Sequence, residues 1–100
     1  MKTASIGNES IVSAAPGQLS SKLGDEMVIL HLESGVYYGL DTVGARVWEL
    51  AQQSKSVRQI RDQIVSEFDV APETCEQDIR ELLAQMQAQG LVLVASAENA

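Results

Sequence analysis

The chain has 100 residues, 45% of them hydrophobic, which is enough for one small domain with a single core and excludes a second domain. Seven basic residues stand against 14 acidic ones, a formal net charge of −7, so the surface repels phosphate backbones and nucleic acid is a poor partner. Cys75 is the one cysteine, which rules out an internal disulfide. No apolar run is long enough to span a membrane or to serve as a signal peptide, and the expected location is the cytoplasm.

Residues 1–15 are small and polar with weak periodicity, and they read as a flexible N-terminal arm, with order expected only near Ile11 and Val12. Pro16-Gly17 punctuates the chain, and Gln18–Leu23 reads as a first strand. Gly24-Asp25 is a two-residue hairpin turn with glycine first, a register that sets Leu23 opposite Glu26 and Leu19 opposite Leu30. The next run, MVILHL, is rich in residues that suit a pleated, half-buried surface. Glu33, Ser34 and Gly35 turn the chain into Val36–Leu40, completing an antiparallel meander over residues 18–23, 26–32 and 36–40. Val28, Leu30 and Leu32 share one face of the central strand, while Met27, Ile29 and His31 share the other. The last strand is followed at once by helices, which places Val36–Leu40 at a sheet edge with unpaired backbone groups.

Asp41 is the expected N-cap of a helix over residues 42–53, with Val43, Val47, Trp48, Leu50 and Ala51 on its apolar side. Ser56 and Gln59 form a capping-box pattern that opens a second helix, whose Val57, Ile60, Ile64 and Phe68 recur at helical spacing. Pro72 starts a third helix and Gly90 ends it; its stripe is Cys75, Ile79, Leu82, Leu83 and Met86. Leu91–Val94 is a short apolar run expected to pack back on the body, and residues 95–100 are a C-terminal tail.

No catalytic constellation and no metal site can be assembled. His31 is the single histidine, and zinc requires three or four ligands of its kind. Cys75, on a helical stripe, is a small packing residue rather than a nucleophile. The two glycines of Gly35-x-x-x-Gly39 lie in a hairpin, not before a helix, and do not make a phosphate loop. The expectation is a protein that is not an enzyme and carries no cofactor.

The stretch GVYYGLDTVGARVWEL, residues 35–50, resembles the PqqD-like family, peptide-recognition domains that serve ribosomally made, post-translationally modified peptides. Ala15–Gly17 before the first strand, the run SVRQIRDQIVSEFDV and the third-helix ending at Gly90-Leu91-Val92 extend the likeness over residues 16–94. The resemblance implies an α+β, winged helix-turn-helix-like domain: a three-stranded antiparallel β-meander followed by three α-helices. It implies that the leader segment of a precursor peptide adds an antiparallel strand to Val36–Leu40, through Val36, Tyr37, Tyr38, Gly39 and Leu40. It further implies a groove beside the third helix lined by Cys75, Asp78, Ile79, Leu82 and Met86. The wording Tyr-Tyr-Gly-Leu-Asp is closest to stand-alone members of lasso-peptide pathways, which implies a leader peptidase or other modifying enzyme as second partner. From the residues alone, Ile79, Leu82 and Leu83 are split between core and groove. One of Tyr37 and Tyr38 is expected to pack inward and the other to cover the groove mouth. Alternatives are a peptide chaperone of pyrroloquinoline quinone biosynthesis, a winged-helix DNA-binding regulator, or edge-to-edge pairing of two copies; the expected state is a monomer or weak homodimer.

Overall fold

The computed structural model describes residues 6–95. In chain order the elements are β1 (Ile11–Ala14), β2 (Gln18–Leu23), β3 (Glu26–His31), β4 (Val36–Leu40), α1 (Thr42–Ala51), β5 (Lys55–Ser56), α2 (Val57–Glu67), α3 (Pro72–Ala88) and β6 (Val92–Ala95). This is the α+β fold expected: a three-stranded antiparallel sheet, ordered β2-β3-β4, and three helices. A second small sheet, ordered β5-β1-β6, was not foreseen.

The meander is built by its turns. Gly24, at φ +65°, takes the left-handed conformation of a glycine-first hairpin, and Leu23 pairs with Glu26 and Leu19 with Leu30. Gly35, at φ +72°, closes the second turn, its N–H donating to the His31 carbonyl at 2.8 Å. That turn is one residue longer than the sequence suggested, because Leu32 leaves the strand after His31 pairs with Val36. Met27 and Ile29 point into the core and are buried, whereas Leu19, Leu23, Leu32 and Tyr37 stand 60, 61, 52 and 68% exposed on the opposite side.

The arm expected over residues 1–15 is ordered at Ile11 and Val12, where order was expected, and the order extends to both sides of them: Val12 is fully buried, and β1 pairs antiparallel with both β5 and β6. Upstream of it, Ser10 is buried, its carbonyl accepts from the Val57 N–H at 3.0 Å, and the Asn8 side chain accepts from Arg80 at 2.7 Å. Burial of Val12 and these contacts offset the entropy of ordering the segment. Residues 1–5 lie outside the described part. The tail is likewise shorter than expected, since Ala95 is still in β6 opposite Ile11; residues 96–100 are outside the description.

Helix ends follow the expected chemistry. Asp41 caps α1, its side chain accepting from the Gly44 N–H at 2.8 Å. Ser56 and Gln59 make the reciprocal capping box, at 3.1 and 2.9 Å. At the end of α3, the Leu91 N–H reaches the Met86 carbonyl (2.8 Å) and the Gly90 N–H the Gln87 carbonyl (3.1 Å), with Gly90 at φ +77°. This is a Schellman stop, and it delivers Leu91 into the core, fully buried.

The helices are also tied by ion pairs. Arg46 on α1 makes two parallel 2.8 Å bonds to the Glu67 carboxylate at the end of α2, and Lys22 on β2 meets Glu49 at 3.0 Å. Arg46, with help from Gln63, holds the Glu67 carboxyl below the ordinary carboxylate range; Lys22, and then Arg46, do the same for Glu49. Groups whose folded pKa is depressed stabilise the fold above their unfolded pKa and cease to do so as pH falls through the folded value. Arg46→Gln is therefore expected to lower stability at neutral pH by no more than about 1 kcal/mol, given the partial exposure of the pair. Urea unfolding of both proteins across pH 7 to 3 should show that difference close in acid; a gap that persists at pH 3 would mean Arg46 acts through packing.

An unpaired strand edge beside an apolar groove

The backbone of β4 is the first component of the site. It pairs with β3 on one side, and no described strand lies on the other. Which of its groups face outward follows from the ladder. The Leu32 N–H donates to the Gly17 carbonyl at 3.0 Å, continuing the β2–β3 register, so Val28 and Leu30 also turn their backbone groups toward β2. Alternate residues bond to opposite neighbours in an antiparallel sheet, so Met27, Ile29 and His31 bond toward β4. Their partners Leu40, Tyr38 and Val36 return those bonds. The N–H and C=O groups of Tyr37 and Gly39 are then the ones presented at the free edge.

The second component is a groove of about 560 Å³ that begins where β4 ends. Gly39, Leu40 and Asp41 form one wall; Val43, Gly44 and Val47 of α1, with Ile64 of α2, lie at its back; Thr74, Cys75, Asp78, Ile79 and Leu82 of α3 form the other wall, with Val70 at the turn between α2 and α3. Val47 and Ile64 are fully buried, Ile79 and Cys75 nearly so, and Leu82 is half-buried, so the groove has an apolar floor and an open mouth. Gly44 keeps the back wall close: a Cβ there would meet the Asp41 carboxylate at 3.2 Å and the Leu40 Cβ at 3.4 Å. Burial pushes the Cys75 thiol up, the nearby Asp78 charge adds to that, and Arg61 opposes it, so the thiol stays protonated and unreactive.

Of the residues singled out from the sequence, Gly39, Leu40, Cys75, Asp78, Ile79 and Leu82 meet at this groove, and Val36, Tyr37 and Tyr38 continue along the adjoining edge. Met86 does not line the groove; it is 1% exposed, turned into the core by its place on the inner stripe of α3. Leu83 is fully buried as well, leaving Leu82 as the one of that pair that reaches the groove. The tyrosines are corrected in part. Tyr38 packs against the core, but Tyr37 lies on the outer face of the sheet opposite Leu30 and does not cover the groove mouth. Val43, Val47 and Ile64 were not anticipated as lining, because helical periodicity marks them only as apolar, and Val70, in the turn between α2 and α3, lies outside any helical pattern.

Among the described residues there is no group of three His, Cys, Asp or Glu side chains placed to hold a metal ion, and no helix is long and apolar enough to cross a membrane. His31 is engaged locally, its Nδ1 lying 2.9 Å from the Ser34 hydroxyl.

The profile of the family described as coenzyme PQQ synthesis protein D (PqqD) matches residues 26–92. The structure is similar to that of TbiB1 in complex with the TbiA(beta) leader peptide, with a TM-score of 0.75 and 36% identity over 80% of this chain and 93% of that one. It shares its fold with lasso peptide synthetase B1 complexed with the leader peptide, at a TM-score of 0.73 and 23% identity over 82% of this chain and 96% of the other. No curated protein matches the chain.

Proposed function

The chain belongs to the PqqD family, and from that premise we propose that it binds the leader segment of a ribosomally synthesised precursor peptide and delivers it to a modifying enzyme. The observation that carries this reading is the juxtaposition of the free edge at Tyr37 and Gly39 with the apolar groove at the end of the same strand. An extended peptide adding to β4 gains main-chain hydrogen bonds that are nearly blind to sequence, while a side chain dropped into the groove supplies selectivity. A leader is disordered before it binds, so burial in the groove must offset its lost conformational entropy. The 36% identity with a protein solved around a leader peptide supports the same occupant.

Delivery is supported by the other side of the sheet. Leu19, Leu23, Leu32 and Tyr37 form an exposed apolar face that no described element covers. A patch of that kind marks a partner surface. Holding the leader on β4 while an enzyme docks on that face raises the effective concentration of the core peptide at the enzyme without any bond chemistry by this chain. A lasso-type pathway, with a separate leader peptidase and cyclase, is the favoured setting because both similar structures are leader-peptide complexes and one is a lasso peptide synthetase component. The family description itself favours pyrroloquinoline quinone biosynthesis as a second setting.

The test is a titration with the synthetic leader and, separately, the core segment of a candidate short precursor, should one be encoded near this gene. One-to-one binding of the leader, with none of the core, is expected. Binding of the core alone, or of neither, would refute the reading. A neighbouring cyclase and protease would fix the lasso setting, and a neighbouring radical enzyme would fix the other.

A further inference from the structure

The charge of the groove is one-sided. Asp41 and Asp78 are the only ionisable carboxylates among its lining residues, and no lysine, arginine or histidine is among them. The cation felt at Cys75 is committed elsewhere: Arg61 is held by Asp62 at 2.9 Å and by Glu76 at 2.8 Å. Arg80, on the far flank of α3, bonds to Asn8 and Glu76. The two carboxylates differ in their freedom. One Asp41 oxygen is spent capping α1, whereas Asp78 is exposed and makes no ion pair among the described residues. Asp78 also sits at the centre of the lining stripe, one turn after Cys75 and one turn before Leu82, so it borders the apolar floor. Its charge is felt at the Cys75 thiol beneath it.

We propose that Asp78 sets the specificity of the groove, and that the peptide segment it selects carries a lysine or arginine beside its apolar anchor. This rests on the peptide-binding reading above and names the chemistry of the peptide. A long basic side chain suits both parts of the wall: its aliphatic stem lies along the half-buried Leu82 while its head group reaches the carboxylate. An acidic residue at the same point meets two like charges and a chain of net charge −7. An antiparallel strand added to β4 begins near Leu40 and ends near Val36. The basic residue therefore belongs to the N-terminal half of the bound segment, the half that lies over the groove.

Random twelve-residue peptides displayed on phage are the probe, selected in parallel on the wild-type chain, Asp78→Asn and Asp78→Lys. Asp78 is chosen because Asp41 holds a helix cap and its loss would disturb the fold. On the wild type, peptides with lysine or arginine next to an aliphatic residue should be enriched. That preference should fall to the level of the starting library on Asp78→Asn, and turn to aspartate or glutamate on Asp78→Lys. In a selected synthetic peptide, replacing the lysine by norleucine should weaken wild-type binding about two- to fivefold, as for a partly exposed ion pair, and leave Asp78→Asn binding unchanged. Aliphatic anchors without a basic preference, or the same preference on Asp78→Asn, would overturn the assignment while leaving peptide binding intact. Failure of the wild type to enrich any peptide would overturn the peptide-binding reading as well.

Discussion

Gly39→Pro should abolish leader binding and leave the domain folded. The reason is directional. The Gly39 N–H faces the free edge of β4, whereas the bonds to β3 are made by Val36, Tyr38 and Leu40. Proline removes that one donor and puts its ring where the incoming strand would lie, a substitution that sheets accept at an edge and not in their interior. Space on the protein's own side is no obstacle, since a Cβ on Gly39 would have nothing within 4 Å. One ladder bond is worth about 1 kcal/mol; with the steric block added, affinity should drop well beyond tenfold. Circular dichroism and the thermal midpoint should stay near the wild type. The same substitution at Tyr38, whose groups bond into the sheet, should damage folding itself. If Gly39→Pro binds the leader normally, the added strand does not use this edge.

The second large effect separates two neighbours on α3. Leu82→Glu puts a charge on the groove wall beside Asp78, where a leader side chain would have to desolvate it, and should cost at least tenfold in affinity with a smaller loss of stability. Leu83→Ala removes a fully buried side chain from the core and should cost roughly 2–5 kcal/mol of stability. Once refolded below its midpoint, the Leu83→Ala protein should still bind the leader with near wild-type affinity. Denaturant melts and leader titrations on the two variants decide it. Equal losses of binding and stability in both would erase the distinction between groove and core on this helix.

That distinction was the part of the site hardest to see in the sequence. The turn at Gly24-Asp25 fixes a register by backbone geometry alone, so the meander and its pairings were legible down to Leu19 opposite Leu30. The capping box at Ser56 and the stop at Gly90 are likewise local signals, and the helices fell where those residues put them. β1 was not legible because its reason for being is remote: Ile11 is a strand residue only through Ser56 and Ala95. Its four residues carry too little alternation to announce themselves. β5, two residues long, is invisible for the same cause. The groove is harder still, since it is a gap left between α1, α2 and α3. Periodicity marks Val47, Ile64, Leu82, Leu83 and Met86 alike as apolar, and only packing reveals that Met86 closes the core while Leu82 opens on the gap. The resemblance to a known family pointed to the third helix, but it could not tell those faces apart.

The most direct measurement is amide hydrogen exchange at Tyr37 and Gly39, with and without saturating leader peptide. In the free protein both N–H groups face outward and should exchange faster than those of Tyr38 and Leu40, which are bonded to β3. Leader should slow Tyr37 and Gly39 selectively, because an added strand supplies the missing acceptors. Bound leader with no change at these two amides would contradict strand addition to β4.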